Sequence, residues 1–171
     1  IGEGIGKGLH EAIELAEQGD WKGLVIGNNA KQFSVGANLM NIGMFAMQKQ
    51  FDVLERFVDD FQQINMKIRT SKIPVVVSTQ VYVFGGGCEI SMHCDAGIYA
   101  AESYIGLVEV GVGLLPGGGG TKEFALRASD DFFEGDVQNP TLINYFKSIA
   151  TAAVSTSAYE AYDLGYLKKE R

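Results

Sequence analysis

Two carboxylates, Glu89 and Glu109, stand twenty residues apart in a chain of 171, each among glycines and apolar neighbours. Glu89 follows three glycines in VYVFGGGCEISMHCD (81–95), and Glu109 lies in LVEVGVGLLPGGGGT (107–121). A carboxylate in such surroundings is poorly solvated, so its neutral form is favoured and its pKa can be tuned upward. Two of them suit general acid and general base work. The glycines add a second capacity, because without side chains they let a substrate oxygen approach backbone N–H groups at a helix start. Unpaired donors and the positive dipole end there would stabilise an oxyanion. Composition alone favours plainer roles: a structural turn, a first-turn acid at Glu89, and a loop acid at Glu109 paired with a surface lysine.

The elements that must position these residues read as an α/β chain. Residues 3–18 carry Ile5, Leu9, Ile13 and Ala16 at helical spacing, with Gly19 placed to end the helix. KGLVIG (22–27) is a short apolar run of buried-strand type, followed by the polar loop NNAKQFSVGAN. A long helix is expected from about Gln50 to Thr70, and its stripe of Phe51, Leu54, Phe57, Val58 and Phe61 reads as core or as an interface. After Pro74, VVVSTQVYV reads as one buried strand, EISMHC as helix, AGIYAA as strand and GGTKEFALRA as helix. SDDFFEGDVQNP (129–140) is acidic and turn-rich, a surface insertion, and two helices fit TLINYFKSIATAA and STSAYEAYDLGYL. The expectation is one domain, with helices outside a sheet.

Composition removes several classes of function. The formal net charge of −7 argues against a basic face for nucleic acid or an anionic membrane surface. No apolar run has transmembrane length and no signal segment opens the chain. Cys88 and Cys94 form no disulfide framework, which fits a reducing, cytoplasmic setting. His93, Cys94 and Asp95 are adjacent on a helix and match no zinc spacing, so no metal is expected. Cys88 has no histidine tied to it by a nucleophile pattern, GGGGTK lacks the P-loop order, and GVGLLPG lacks dinucleotide spacing.

Three blocks in order, FSVGANL (33–39), FGGGCEISMHCD (84–95) and GLVEVGVGLLPGGGGTKEF (106–124), resemble the signature blocks of the crotonase, or enoyl-CoA hydratase/isomerase, superfamily. The likeness covers most of residues 1 to about 128, with an echo in SAYEAYDLGYL (157–167). WKGLVIGNNAKQFSVGANL and VGVGLLPGGGGTKE are similar to the crotonase domains at the C-terminal end of bacterial bifunctional 3-hydroxyacyl-CoA dehydrogenases. That comparison implies a crotonase-like ββα spiral truncated at both ends, without the first β-hairpin and the C-terminal helices. It also implies a trimer-based homo-oligomer when complete, with a fused dehydrogenase domain.

The resemblance further implies hydration of trans-2-enoyl-CoA to 3-hydroxyacyl-CoA in fatty-acid β-oxidation. The backbone N–H groups of Ala37 and Gly86 would hold the thioester oxygen, Glu89 and Glu109 would work on one water, and Gly117 would help hold that arrangement. Lys31, Phe33, Val35, Gly36, Ala37, Asn38, Leu39 and Gly85 would face the CoA ester, with the Val35 carbonyl on the adenine amine and Lys31 on a phosphate. No cofactor is implied beyond the CoA of the substrate, with NAD only if a dehydrogenase is attached. Asn38 stands where the family commonly has Asp, and the 129–140 segment leaves chain-length preference open. Alternatives are a noncatalytic acyl-CoA-binding or assembly domain, and an enoyl-CoA isomerase.

Overall fold

Gly85 to His93 form the most deeply placed piece of the chain, and the rest of the fold is arranged around it. In a computed structural model that describes residues 1–137 and 139–168, this piece is helix α4 (Gly86–His93), and all eight of its residues are buried. Before it come α1 (Glu3–Gln18), β1 (Leu24–Ile26), α2 (Leu39–Met47), α3 (Phe51–Arg69), β2 (Val75–Thr79) and β3 (Tyr82–Phe84). After it come β4 (Ala96–Tyr99), β5 (Tyr104–Gly106), a 3-10 turn (Glu109–Val112), α5 (Gly120–Asp130), α6 (Asn139–Ala150) and α7 (Ala158–Asp163).

The strands form two parallel sheets, one ordered β1-β2-β4 and one pairing β3 with β5. The run expected as a single strand over 75–83 is therefore split. Val81 takes a left-handed φ of 55°, which turns the chain between β2 and β3 and sends them into different sheets. That break is costly for a β-branched residue and nothing in its composition announces it. Instead of one sheet flanked by helices, two cores share a buried helix. Cys88 and Met92 of α4 pack with Val83, Ile105, Leu107, Phe124 and Tyr166. Ile90, with Cys94 just beyond the helix, packs with Ile13, Ile64, Ile68, Val75 and Val77.

α3 matches its expected span, yet its apolar stripe is only partly core. Ile64, Asn65 and Ile68 are buried, whereas Phe51 and Val58 of the N-terminal half are exposed. α2 was not expected at all. It carries no charged residue and no amphipathic rhythm, and it starts because the Asn38 side chain caps it, accepting from the N–H groups of Met40 (3.1 Å) and Asn41 (3.4 Å). Asn38→Ala should cost about 1 kcal/mol, the usual worth of such a cap, read as an earlier urea midpoint; Asn38→Asp should restore it. The residues described between Asp130 and Asn139 are turn-forming and exposed.

Candidate active site

β3 ends at Phe84 and feeds the chain into Gly85, which takes φ 53° as the residue preceding α4. Its N–H donates to the Gly106 carbonyl (2.9 Å), so the end of β5 fixes the turn. A Cβ there would sit 3.0 Å from Glu109 Oε1. A side chain at 85 would therefore meet both a disfavoured φ and the second carboxylate. This is the physical reason for glycine directly before the helix that carries Glu89.

The first glycine loop runs parallel to β3 through a bridge of Ser34 with Val83. Ser34 N–H donates to Tyr82 O (2.9 Å) and Phe84 N–H to Ser34 O (3.0 Å). Gly36, with φ 90°, is thereby laid against Gly85 and Gly86, its Cβ position 3.7 Å from the Gly86 nitrogen. Among the described residues neither the Ala37 nor the Gly86 N–H donates a hydrogen bond within the protein. Gly86 is the first residue of α4, where intrahelical acceptors are lacking by geometry. Two free donors on adjoining backbone segments are what an oxyanion requires.

Glu89 lies one turn further on, 2% exposed. Its Oε1 accepts from the Gly120 N–H at 2.9 Å, and the N–H groups of Gly118 and Gly119 also favour its anion. Burial nevertheless dominates, and with the charge of Glu109 it raises the Glu89 pKa to about 7. Glu109, in the 3-10 turn, is likewise raised by burial. Its Oε2 is buried without a hydrogen-bond partner in the protein. Burial thus favours the neutral form of both carboxyls, and the charge of Glu109 adds to that effect at Glu89.

Gly118 shows how closely the third loop is wrapped on Glu89. A Cβ there would lie 2.5 Å from Glu89 Oε2 and 2.4 Å from the Phe61 ring. Gly117 itself turns its carbonyl to the Gln62 amide (2.6 Å), and the N–H groups around the Glu89 carboxylate are those of Gly118 to Gly120.

Behind α4 is an ionic cluster of which the sequence reading weighed only His93, as a residue matching no zinc spacing. His93 Nδ1 donates to the Glu89 carbonyl (2.6 Å), leaving Nε2 to accept from Lys122 Nζ (2.9 Å). Burial lowers the His93 pKa to about 4, so the ring is neutral and this tautomer follows. Glu123, fully buried, pairs with Arg69 (2.9 Å) and Lys122 (3.1 Å), and Arg127 Nε lies 4.0 Å away. Arg127 also donates to the carbonyls of Met92, Gly165 and Tyr166. The spacing of Glu123 and Arg127, four residues apart on α5, was the available signal.

The remaining residues of the first block lie along one loop. Lys31, Val35, Asn38 and Leu39 are exposed, Ala37 is half-buried, and Phe33 packs its ring against both cores while its N–H holds Gln80 O (3.0 Å). Among the described residues no cluster of His, Cys, Asp and Glu could hold a metal ion. No described helix is long and apolar enough to cross a membrane.

The family profile described as enoyl-CoA hydratase/isomerase matches residues 3–135. The chain is 40% identical over 169 residues to a Bacillus subtilis protein named "Probable 3-hydroxyacyl-CoA dehydrogenase", covering 99% of this chain and 21% of that one. It is 30% identical over 122 residues to the mitochondrial enoyl-CoA hydratase of Pongo abelii, covering 70% of this chain and 40% of the relative. The crystal structure of an enoyl-CoA hydratase from Polaromonas superposes with a TM-score of 0.79 at 22% identity, over 96% of this chain and 59% of that one. The fold is crotonase-like, and the chain spans about a fifth of its Bacillus relative, 40% of the Pongo one and 59% of the Polaromonas one.

Proposed function

The chain belongs to the enoyl-CoA hydratase/isomerase family, and from that premise we propose that it hydrates trans-2-enoyl-CoA to 3-hydroxyacyl-CoA. The observation that carries this reading is the pair of carboxyls, Glu89 buried and Glu109 half-buried, both with raised pKa, beside two free backbone N–H groups. The thioester carbonyl accepts from Ala37 and Gly86 N–H, which draws electrons from the double bond toward its oxygen. Water attacks C3 as one carboxylate takes its proton. The other carboxyl delivers a proton to C2 as the enolate collapses, so overall one O–H bond of water and the C2–C3 π bond break, and one C–O and one C–H bond form. With both pKa values raised by burial, one carboxyl can hold the proton to be delivered while the other accepts the proton of water.

The CoA portion lies along the first loop in this reading, with the Val35 carbonyl toward the adenine amine, Lys31 toward a phosphate, and Phe33, Gly36, Asn38, Leu39 and Gly85 shaping the passage to the thioester. The free, buried thiols of Cys88 and Cys94 suit a cytoplasmic setting. The Bacillus relative's name and greater length support a fused dehydrogenase domain, and pairing hydration with 3-hydroxyacyl oxidation supports a role in β-oxidation. The trimer-based assembly belongs to the same proposal.

The test is hydration of a short trans-2-enoyl-CoA by the protein at its natural length, with product analysis. Formation of 3-hydroxyacyl-CoA is expected. Binding of the CoA ester without turnover would make the domain a binding or assembly unit, and conversion of a 3-enoyl to a 2-enoyl ester without hydration would make it an isomerase.

A further inference from the structure

The N–H groups that meet the Glu89 carboxylate belong to a run of four glycines, 117 to 120, which has no side chains with which to hold its own shape. Its orientation is imposed from α3. Gln62 Nε2 donates to the Gly117 carbonyl at 2.6 Å, and Asn65 Nδ2 donates to the Gly118 carbonyl at 2.8 Å. Because a peptide carbonyl only accepts, the amide nitrogen of each side chain must face the loop. In a planar trans peptide the C=O of one residue and the N–H of the next point in opposite directions. Pulling the Gly117 and Gly118 carbonyls toward α3 therefore aims the Gly118 and Gly119 N–H groups away from it, toward Glu89. The third donor, Gly120 N–H, is already on Glu89 Oε1 at 2.9 Å, and the Gly119 carbonyl is taken up by the Glu123 N–H (2.9 Å). The run is thus tied at three successive carbonyls.

Asn65 is an unusual residue for its place. It is fully buried on the face of α3 that also carries Ile64 and Ile68, and its Oδ1 has no hydrogen-bond partner. A buried amide that satisfies only one end costs stability relative to an apolar side chain of similar size. Its retention on that face is accounted for by the bond it does make.

We propose that Asn65, assisted by Gln62, is a positioning residue that sets the protonation behaviour and placement of Glu89 by orienting the glycine run. This rests on the hydratase reading for its catalytic consequence but not for its effect on the carboxyl itself. The titratable group facing the Glu89 side chain is Glu109; His93 is bonded to the Glu89 backbone carbonyl, with Lys122 and Glu123 of α5 behind it.

The experiment uses the protein at its natural length with Asn65→Leu and Gln62→Met, each removing one donor while keeping bulk. Gln62 is exposed, so its variant decides the matter if Asn65→Leu fails to fold. The first readout is the carboxyl titration of Glu89, followed without substrate by carbon-13 NMR of labelled glutamate and assigned by its loss in Glu89→Gln. Fewer aligned N–H donors disfavour the anion, so the midpoint should move upward from about 7 in both variants. The second readout is hydration of a short enoyl-CoA, where kcat should fall about 10- to 100-fold in Asn65→Leu with KM little changed, as for a misplaced catalytic group. An unmoved Glu89 titration in the folded variants overturns the inference whatever the activity. A shifted titration in a protein whose wild type hydrates nothing supports the positioning role and removes the hydratase reading instead.

Discussion

Glu89→Gln should lower hydration of a short trans-2-enoyl-CoA by about 10²- to 10⁴-fold, the usual contribution of a positioned acid or base, while binding of the CoA ester should stay close to wild type. The amide keeps the shape of the carboxyl and can still accept from Gly120 N–H, but it neither takes nor gives a proton at neutral pH. The same substitution has an opposite effect on stability. Glu89 titrates at about 7 against an ordinary value of 4.5, so the folded state binds that proton more tightly than the unfolded chain. Its stabilising contribution is full below the ordinary value and is lost as pH rises to about 7. By about pH 8 the ionised, buried carboxylate costs up to about 3 kcal/mol. Glu89→Gln does not titrate, so its melting temperature relative to wild type rises between about pH 5 and pH 8. A variant that keeps full turnover removes Glu89 from the chemistry; a melting difference independent of pH removes the raised pKa of Glu89.

The opposed effects are what a strained functional group produces. Glu89 sits on a helix shared by two cores, where an apolar residue would pack without charge cost. Its burial and the charge of Glu109, only partly relieved by three N–H groups, raise its pKa to about 7. Each device is structural in form: the left-handed Gly85, the wrapped Gly118 and the bridge of Ser34 with β3.

Much of this was legible in the sequence because local patterns and global fold agree. α1, α3, α4 and α5 fall where apolar period and glycine punctuation place them, and the two carboxylates with their glycines announce themselves by type and order. What was hidden depends on contacts between distant segments. The division of β2 from β3 turns on one φ at Val81, and α2 begins on a side-chain cap ahead of an uncharged, featureless run. The ionic cluster needs Arg69, His93, Glu123 and Arg127 to come from three helices, so no window of sequence contains it. Asn65 gave no signal of its own, because its partner, the Gly118 carbonyl, is 53 residues away.

Glu123→Gln should be the most destabilising of the near-isosteric changes in this chain. It removes the carboxylate on which Arg69 and Lys122 converge and near which Arg127 is buried, leaving those cations without their counter-charge. Breaking a buried ion pair from one side costs about 3–5 kcal/mol, which in a chain of this size lowers the melting temperature by on the order of 10 °C. The cause is the charge left behind, so removing the other side as well recovers part of the loss. Glu123→Leu combined with Arg127→Leu should therefore lose less stability than the sum of the two single changes, the signature of coupled partners. Additive losses, or a Glu123→Gln variant that melts with wild type, would show that the cluster is well solvated and carries no net load. The position of Glu123 also links this cost to the site. Its N–H holds the Gly119 carbonyl and its carboxylate holds Arg69 at the end of α3 and Lys122 beside His93, so the charge that stabilises α5 also anchors the glycine run on which Glu89 rests.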